Sequence, residues 1–172
     1  ADAIIAVYPF TPQPIITQAL LLAADIPVFA GVGGGLTKGQ RVVNLAMFAE
    51  MQGATGVVLN APTANAVVQH VAETIDIPVV VTVARADTDF DARLQAGANI
   101  FNVSAAAETP AIVRSIRERY PDVPIIATGG PTDESILETI QAGANAITWT
   151  PPTNGEIFRD IMAAYRDNKP HP

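Results

Sequence analysis

Two short patterns take turns along the chain, and their alternation restricts the fold more than any other feature. One reads Asp-Ile-Pro or Asp-Val-Pro followed by a β-branched run: "DIPVFAGVGG" from Asp25, "DIPVVVTVAR" from Asp76 and "DVPIIATGG" from Asp122. The other opens on glycine: "GATGVVLNAP" from Gly53, "GANIFNVSA" from Gly97 and "GANAITWTPP" from Gly143. The aspartates lie 51 and 46 residues apart, the glycines 44 and 46. The opening "ADAIIAVYP" fits the glycine series without its leading glycine. Repetition at such a period marks an architecture assembled from supersecondary units. Each run is short, β-branched and bounded by turn residues, as a strand buried on both faces requires. The expected strands cover about 3–8, 27–32, 56–60, 78–83, 99–103, 124–128 and 145–149.

Between the runs lie amphipathic segments at 38–52, 63–75, 109–120 and 133–142. Their apolar residues fall three and four apart, the period of a helix with one buried face. Thr109 before Pro110 reads as an N-cap with proline at the first helical position. Thr132 precedes Asp133 and Glu134, acids that the helix dipole favours in a first turn. Gly53, Gly97 and Gly143 fall where helices end.

Strict strand–helix alternation implies a parallel sheet with right-handed crossovers. Seven strands are one short of a TIM-type (β/α)8 barrel. Because the two series alternate, a leading unit of the Asp-Ile-Pro kind completes eight. The chain is therefore read as residues 1–172 of a single barrel domain, N-terminally incomplete, with the first strand and helix missing. Ala1 in place of Met fits a processed chain or a fragment. A doubly wound open sheet is the rival; it calls for a strand-order switch and a nucleotide loop after the first strand. A barrel lacking one unit exposes two strand edges, and such edges seek partners. A homo-oligomer or a rearranged N-terminus is expected, with the strand at 3–8 as the contact.

The chain has 172 residues, 49% of them apolar, enough for one domain with a sizeable core. No apolar stretch approaches the twenty or so residues of a membrane span, and there is no signal-peptide pattern. Cysteine is absent, which excludes disulfides and thiolate chemistry and fits a cytoplasmic location. The net charge is −7, and Lys38 and Lys169 are the only lysines. A basic face for nucleic acid is missing.

At "ATGGPTDESILETIQAGANAITW" (127–149) the sequence resembles the phosphate-binding (β/α)8 barrels, a group that includes keto-deoxy-phosphogluconate aldolases, thiamine-phosphate synthases and N-acetylmannosamine-phosphate epimerases. The matching residues are the glycine pair Gly129–Gly130 and the run Ala142–Gly143–Ala144. The resemblance implies a small anionic ligand, a phosphate ester, at the end of the seventh barrel strand. Glycine lets backbone N–H groups approach an anion, and a helix start adds unpaired donors. A tight strand-to-helix turn without ligand is the other reading of the same glycines. The chain departs from the pattern at "TWTPPTNGE", where Pro151 and Pro152 have no N–H to give. Asn154 and Gly155 open the next helix and donate instead; a carboxylate, or no ligand, stays open.

Alternate residues of a strand share a face. One parity carries a polar residue near each C-terminal strand end: Tyr8, Asn60, Thr82, Asn102 with Ser104, Thr128, and Thr148 with Thr150. Val58, Val80, Ile100 and Ile126 fall two residues earlier, an apolar floor under a polar ring. Such a ring lines a small-molecule pocket or merely bonds to neighbouring backbone. It holds no Asp, Glu, His, Cys or Lys, so catalytic charge has to come from loops: Arg85 as anion partner, Asp87 as base, and Lys38. Glu108 and Glu156 are further loop acids; His70 falls mid-helix and His171 in the tail. Surface ion pairs and helix-start acids are the commoner explanation of such charges.

The resemblance also implies a Schiff-base lysine after the sixth barrel strand in class I aldolases, but "FNVSAAAET" offers Asn102 and Ser104 instead. No metal cluster and no cofactor are expected. "GVGGG" at 31–35 matches no nucleotide motif and reads as a mobile loop, a lid at most, with Thr37 capping the next helix. The expected function is an enzyme acting on a small phosphorylated metabolite: a lyase, isomerase or hydrolase. The alternatives are a non-catalytic ligand-sensing barrel, similar to glycerol-uptake antiterminator proteins, and a structural barrel.

Overall fold

The computed structural model describes residues 1–7 and 11–169. Its strands are β1 (Ile4–Ala6), β2 (Val28–Gly33), β3 (Gly56–Leu59), β4 (Val79–Val83), β5 (Ile100–Val103), β6 (Ile125–Thr128) and β7 (Ala146–Thr148). They alternate with α1 (Pro14–Ala23), α2 (Gln40–Met51), α3 (Asn65–Thr74), α4 (Phe90–Gln95), α5 (Thr109–Arg119), α6 (Asp133–Gln141) and α7 (Asn154–Arg166). Every strand pairs in parallel with the next, in the order of the sequence. The result is a TIM-type barrel of seven strands, nearly closed, as the repeat predicts. Among the described residues β1 pairs only with β2, and β7 only with β6.

The repeat has a direct physical meaning. Proline has no N–H, so the Asp-Ile/Val-Pro strands begin their ladders one residue later. Val79 N–H then donates to Asn99 Oδ1 at 2.8 Å, and Ile125 N–H to Asn145 Oδ1 at 2.9 Å. Each asparagine returns the bond: Asn99 N–H reaches Val79 O at 2.9 Å, and Asn145 N–H reaches Ile125 O at 2.8 Å. The proline carbonyls serve the neighbouring strands, with Val57 N–H on Pro78 O at 2.9 Å and Phe101 N–H on Pro124 O at 3.1 Å. The Gly-Ala-Asn and Asp-x-Pro patterns are thus the two halves of one clamp.

Arg117 tightens the last clamp. Its Nη2 donates to Asn145 Oδ1 at 2.6 Å and Gly143 O at 2.9 Å, and its Nη1 to Val123 O at 3.0 Å and to Pro121 O.

The core lies between the strands and the helices. Val57, Leu59, Val79, Val81, Val83, Phe101, Val103 and Ile125 are buried in one cluster with Val42, Val43, Val68, Val71, Ile112 and Ile116 of the helices. Each such side chain contributes ~1.5–3 kcal/mol on burial. The opposite parity faces the barrel interior. Val58 and Val80 are fully buried there, whereas Ile100 and Ile126 are only half-buried.

Several local expectations change. Thr37 does not cap α2. Gly39 precedes that helix without a side-chain cap, and Thr37 donates instead to Thr11 Oγ1 at 2.8 Å. Thr109 is the first residue of α5 rather than its cap, because a 3₁₀ turn at Ala106–Glu108 leads into the helix; its hydroxyl accepts the Ala105 N–H at 3.0 Å. The glycine cluster is packed, not a loose lid. β2 runs through Gly33, and buried Gly34 has φ +100° with space for a Cβ only 1.6 Å from Thr63 Oγ1. Tyr8 and His171 lie outside the described residues.

Asn99→Ala leaves the Val79 N–H without its acceptor. Equilibrium denaturation of this variant is expected to show a loss of about 1–3 kcal/mol. Asn145→Ala, which also strips Arg117 of an acceptor, is expected to lose more. Wild-type stability in both would refute the clamp.

Candidate functional site

The polar ring forms on one side of the mouth. Thr82 and Asn102 are Cα partners across β4 and β5, and Thr128 and Thr148 across β6 and β7. Asn102 Nδ2 donates to Thr82 Oγ1 at 3.3 Å, and Thr148 Oγ1 donates to Thr128 Oγ1 at 3.3 Å. All four side chains are half-buried. Asn102 Oδ1 is buried and has no hydrogen-bond partner among the described residues. The other expected members sit differently. Ser104 and Thr150 are exposed beyond the strand ends. The Asn60 backbone is consumed by its loop: its N–H donates to Gly33 O at 2.9 Å, and its carbonyl accepts the Thr63 N–H at 3.0 Å and hydroxyl at 2.7 Å.

The glycine pair is explained first by chain geometry. A Cβ on buried Gly129 would lie 2.7 Å from Ile136 Cγ1 and 2.8 Å from Ile147 Cγ2, so the residue lets α6 and β7 close on β6. Gly130 has φ +82°, a left-handed turn, with its Cβ position 2.6 Å from Ser135 Oγ.

The helix starts that follow are already capped by the chain. Thr132 Oγ1 accepts the Ser135 N–H at 3.2 Å, and Ser135 Oγ accepts the Thr132 N–H at 3.1 Å. Hydrogen bonds from its own backbone N–H, and then from the Thr132 hydroxyl, hold the Glu134 carboxyl below the usual range. At α7, Glu156 Oε2 accepts from the Thr153 hydroxyl and from the Thr153 N–H, both at 2.7 Å, and these lower its pKa. Asn154 and Gly155 do open α7, as the sequence predicts. A glutamate carboxylate of this chain therefore sits at the start of α7, and Thr132 with Ser135 takes the corresponding donors at α6, where the resemblance placed a phosphate.

The charged candidates on the loop after β4 hold each other. Arg85 donates from Nε to Asp87 Oδ1 at 2.9 Å and from Nη2 to Asp87 Oδ2 at 2.8 Å. This fork depresses the Asp87 pKa and raises that of Arg85, both on exposed side chains. Lys38 is exposed between β2 and α2, and His70 is exposed on α3.

Among the described residues no group of three or more His, Asp or Glu side chains is placed to hold a metal. No helix among them is long and apolar enough to cross a membrane. Sequence reading passed over Arg93. It lies on α4, whose six residues are too few to show a helical period.

No family model matches the chain. No curated protein matches it either. Its fold is shared with solved barrels at low identity. One is a phosphonopyruvate hydrolase in complex with oxalate and magnesium, with a TM-score of 0.67 and 15% identity over 91% of this chain and 66% of that one. A second is 2,3-dimethylmalate lyase, a member of the PEP mutase/isocitrate lyase superfamily, at 0.67 and 12% over 91% and 66%. A third is the 4-hydroxy-tetrahydrodipicolinate synthase of Methylacidiphilum fumariolicum SolV, at 0.65 and 18% over 98% and 63%. The chain thus spans about two thirds of each. The barrel stands; these names come from other groups than the phosphate-binding families resembled at 127–149. The magnesium of the first neighbour finds no fitting donor cluster among the described residues here.

Glu134, Glu156 and Asp87 have folded-state pKa values below their unfolded ones. Their stabilisation is complete above the ordinary carboxylate range and is lost as pH falls through the depressed values. Carboxyl NMR titration is expected to place all three below free glutamate or aspartate. In Glu156→Gln, hydrogen exchange in the first turn of α7 is expected to lose its acid sensitivity. Normal titration of Glu134 and Glu156 would contradict the capped starts.

Proposed function

We propose that the chain is an enzyme acting on a small metabolite that carries a phosphate or carboxylate group, bound at the C-terminal mouth of the barrel, by lyase, isomerase or hydrolase chemistry. The observation that carries this reading is Asn102. A buried acceptor without a partner costs about 1–3 kcal/mol, and a ligand hydroxyl or acid proton relieves that cost. Thr82 beside it, and Thr128 and Thr148 on the same inward parity of β6 and β7, add hydroxyls of which those of Thr82 and Thr128 are able to donate to an oxyanion. The neighbours' names support the size and charge class, since phosphonopyruvate and dimethylmalate are small carboxylates.

In this reading the Arg85–Asp87 fork is a latch. An arriving oxyanion competes for the guanidinium, which prefers bidentate acceptors. Asp87 then loses the hydrogen bonds that depress its pKa and becomes the stronger base. Lys38 adds a second cation from the loop after β2. Ser104 and Thr150 on exposed loops, and the donors beside Gly129 and Gly130, meet the outer part of the ligand. Self-association belongs to the same proposal: β1 and β7 each leave one edge unpaired among the described residues, and Phe158, Met162 and Tyr165 of α7 are exposed.

Calorimetric titration with oxalate, phosphonopyruvate and glycerol phosphate tests the mouth. At least one is expected to bind, with affinity reduced about tenfold or more in Asn102→Ala and in Thr128→Val/Thr148→Val, a loss of ~1.4 kcal/mol or more. Asp87→Asn is expected to abolish turnover while leaving binding in place. Absence of binding by the whole panel, or binding unchanged in the threonine variant, would end the proposal. Light scattering is expected to show a species larger than one chain.

A further inference from the structure

Arg93 reaches from α4 into the loop after β3. Its Nη1 donates to Thr63 O and to Asn65 Oδ1, the latter at 2.9 Å, and its Nη2 donates to Ala61 O at 2.8 Å. These bonds use three of the five guanidinium donors. Nε–H and one Nη2 proton have no protein acceptor among the described residues. No carboxylate pairs with Arg93 there either. Asp91, the nearest acid in sequence, pairs with Arg119 and accepts the Tyr120 hydroxyl at 2.5 Å, and Asp89 is engaged as the cap of α4, accepting the Ala92 N–H at 3.0 Å. Burial pushes the Arg93 pKa down, and no neighbouring acid offsets it. A partly desolvated cation without a counter-charge is unusual, because burying a charge is costly unless it is paired.

Arg93 lines a cavity of ≈ 270 Å³ that is wide open to solvent. Thr63, Ala64 and Asn65 form one wall, and Thr88 and Asp89 the other. The walls are the loops after β3 and β4, at the same end of the barrel as the mouth but between α3 and α4. α3 also starts here without a side-chain cap. The three carbonyl and amide oxygens that hold Arg93 fix its plane before any ligand arrives, which lowers the entropy lost on binding.

We propose that this cavity is a second anion-binding site, separate from the mouth, in which the two free donors of Arg93 take the oxygens of a phosphate or carboxylate group. Arginine suits this task because its planar fork matches both groups bidentately. Asp89 on the facing wall disfavours polyanions and restricts the site to one small anionic head. The Thr88 hydroxyl donates to Arg85 O at 2.7 Å, so an occupant also steadies the loop that carries Arg85 and Asp87.

The test is an amide-resolved NMR titration of the whole chain with inorganic phosphate and, separately, with malonate. Saturable shifts are expected at 63–66 and 88–93 for at least one of the two. Arg93→Gln is expected to abolish them, Arg93→Lys to weaken binding by roughly tenfold, and Thr128→Val/Thr148→Val to leave them unchanged. Shifts confined to 128–130 and 148–156, shifts that never saturate, or wild-type binding in a folded Arg93→Gln protein would overturn the proposal. If that variant does not fold, the wild-type map alone decides, since it shows which loops respond. Failure here leaves the mouth reading intact, because the threonine variant reports on that site independently.

Discussion

The reciprocal clamp between asparagine and the residue after proline sets the geometry on which the rest of the barrel depends. In a parallel pair the hydrogen bonds slant, and no hairpin turn fixes the register. Asn99 and Asn145 supply that missing reference by bonding the first free N–H of β4 and β6 with a side chain while their own N–H groups return to the same residues. A slip of one residue would exchange the two faces of a strand. It would turn Thr82, Asn102, Thr128 and Thr148 into the helix-packed layer and bury four polar groups among valines. The polar mouth is therefore a consequence of register held three residues earlier, at the opposite end of the strands.

Packing then divides the labour between the two faces. The outward parity carries the apolar bulk and most of the burial, with Phe101, Leu59 and Ile125 among the largest fully enclosed side chains, packed in one cluster with Ile116 of α5. The inward parity is sealed at Val58 and Val80 and opens progressively towards β7, where Ala146 is exposed. Stability and chemistry are thus separated by a single backbone alternation. Side chains at the mouth can change with little effect on the layer that holds the strands together.

Much of the architecture was legible because the signals are local. A β-branched run between turn residues forms a strand whatever surrounds it, and Thr132 begins a helix through contacts within three residues. The clamp left its mark as a repeat before any bond was visible. What stayed hidden depends on segments distant in sequence. Thr37 finds Thr11 rather than a helix start, and Arg93 crosses to a loop 28 to 32 residues away. Arg85 and Asp87 were read as separate tools because spacing alone does not reveal whether near neighbours in a loop face each other. The glycine pair was legible in place but not in cause, since the side chains of Ile136 and Ile147 decide why Gly129 has no Cβ.

The side chains that fold back over the starts of α6 and α7 carry a wider consequence. Each is a tethered competitor, present at an effective concentration that for short linkages reaches the millimolar range or more. An incoming anion at either helix start has to outbid a group that never diffuses away. The starts of α6 and α7 thus satisfy their first N–H donors from within the chain, and an anion arriving there would first have to displace a group already bonded to them.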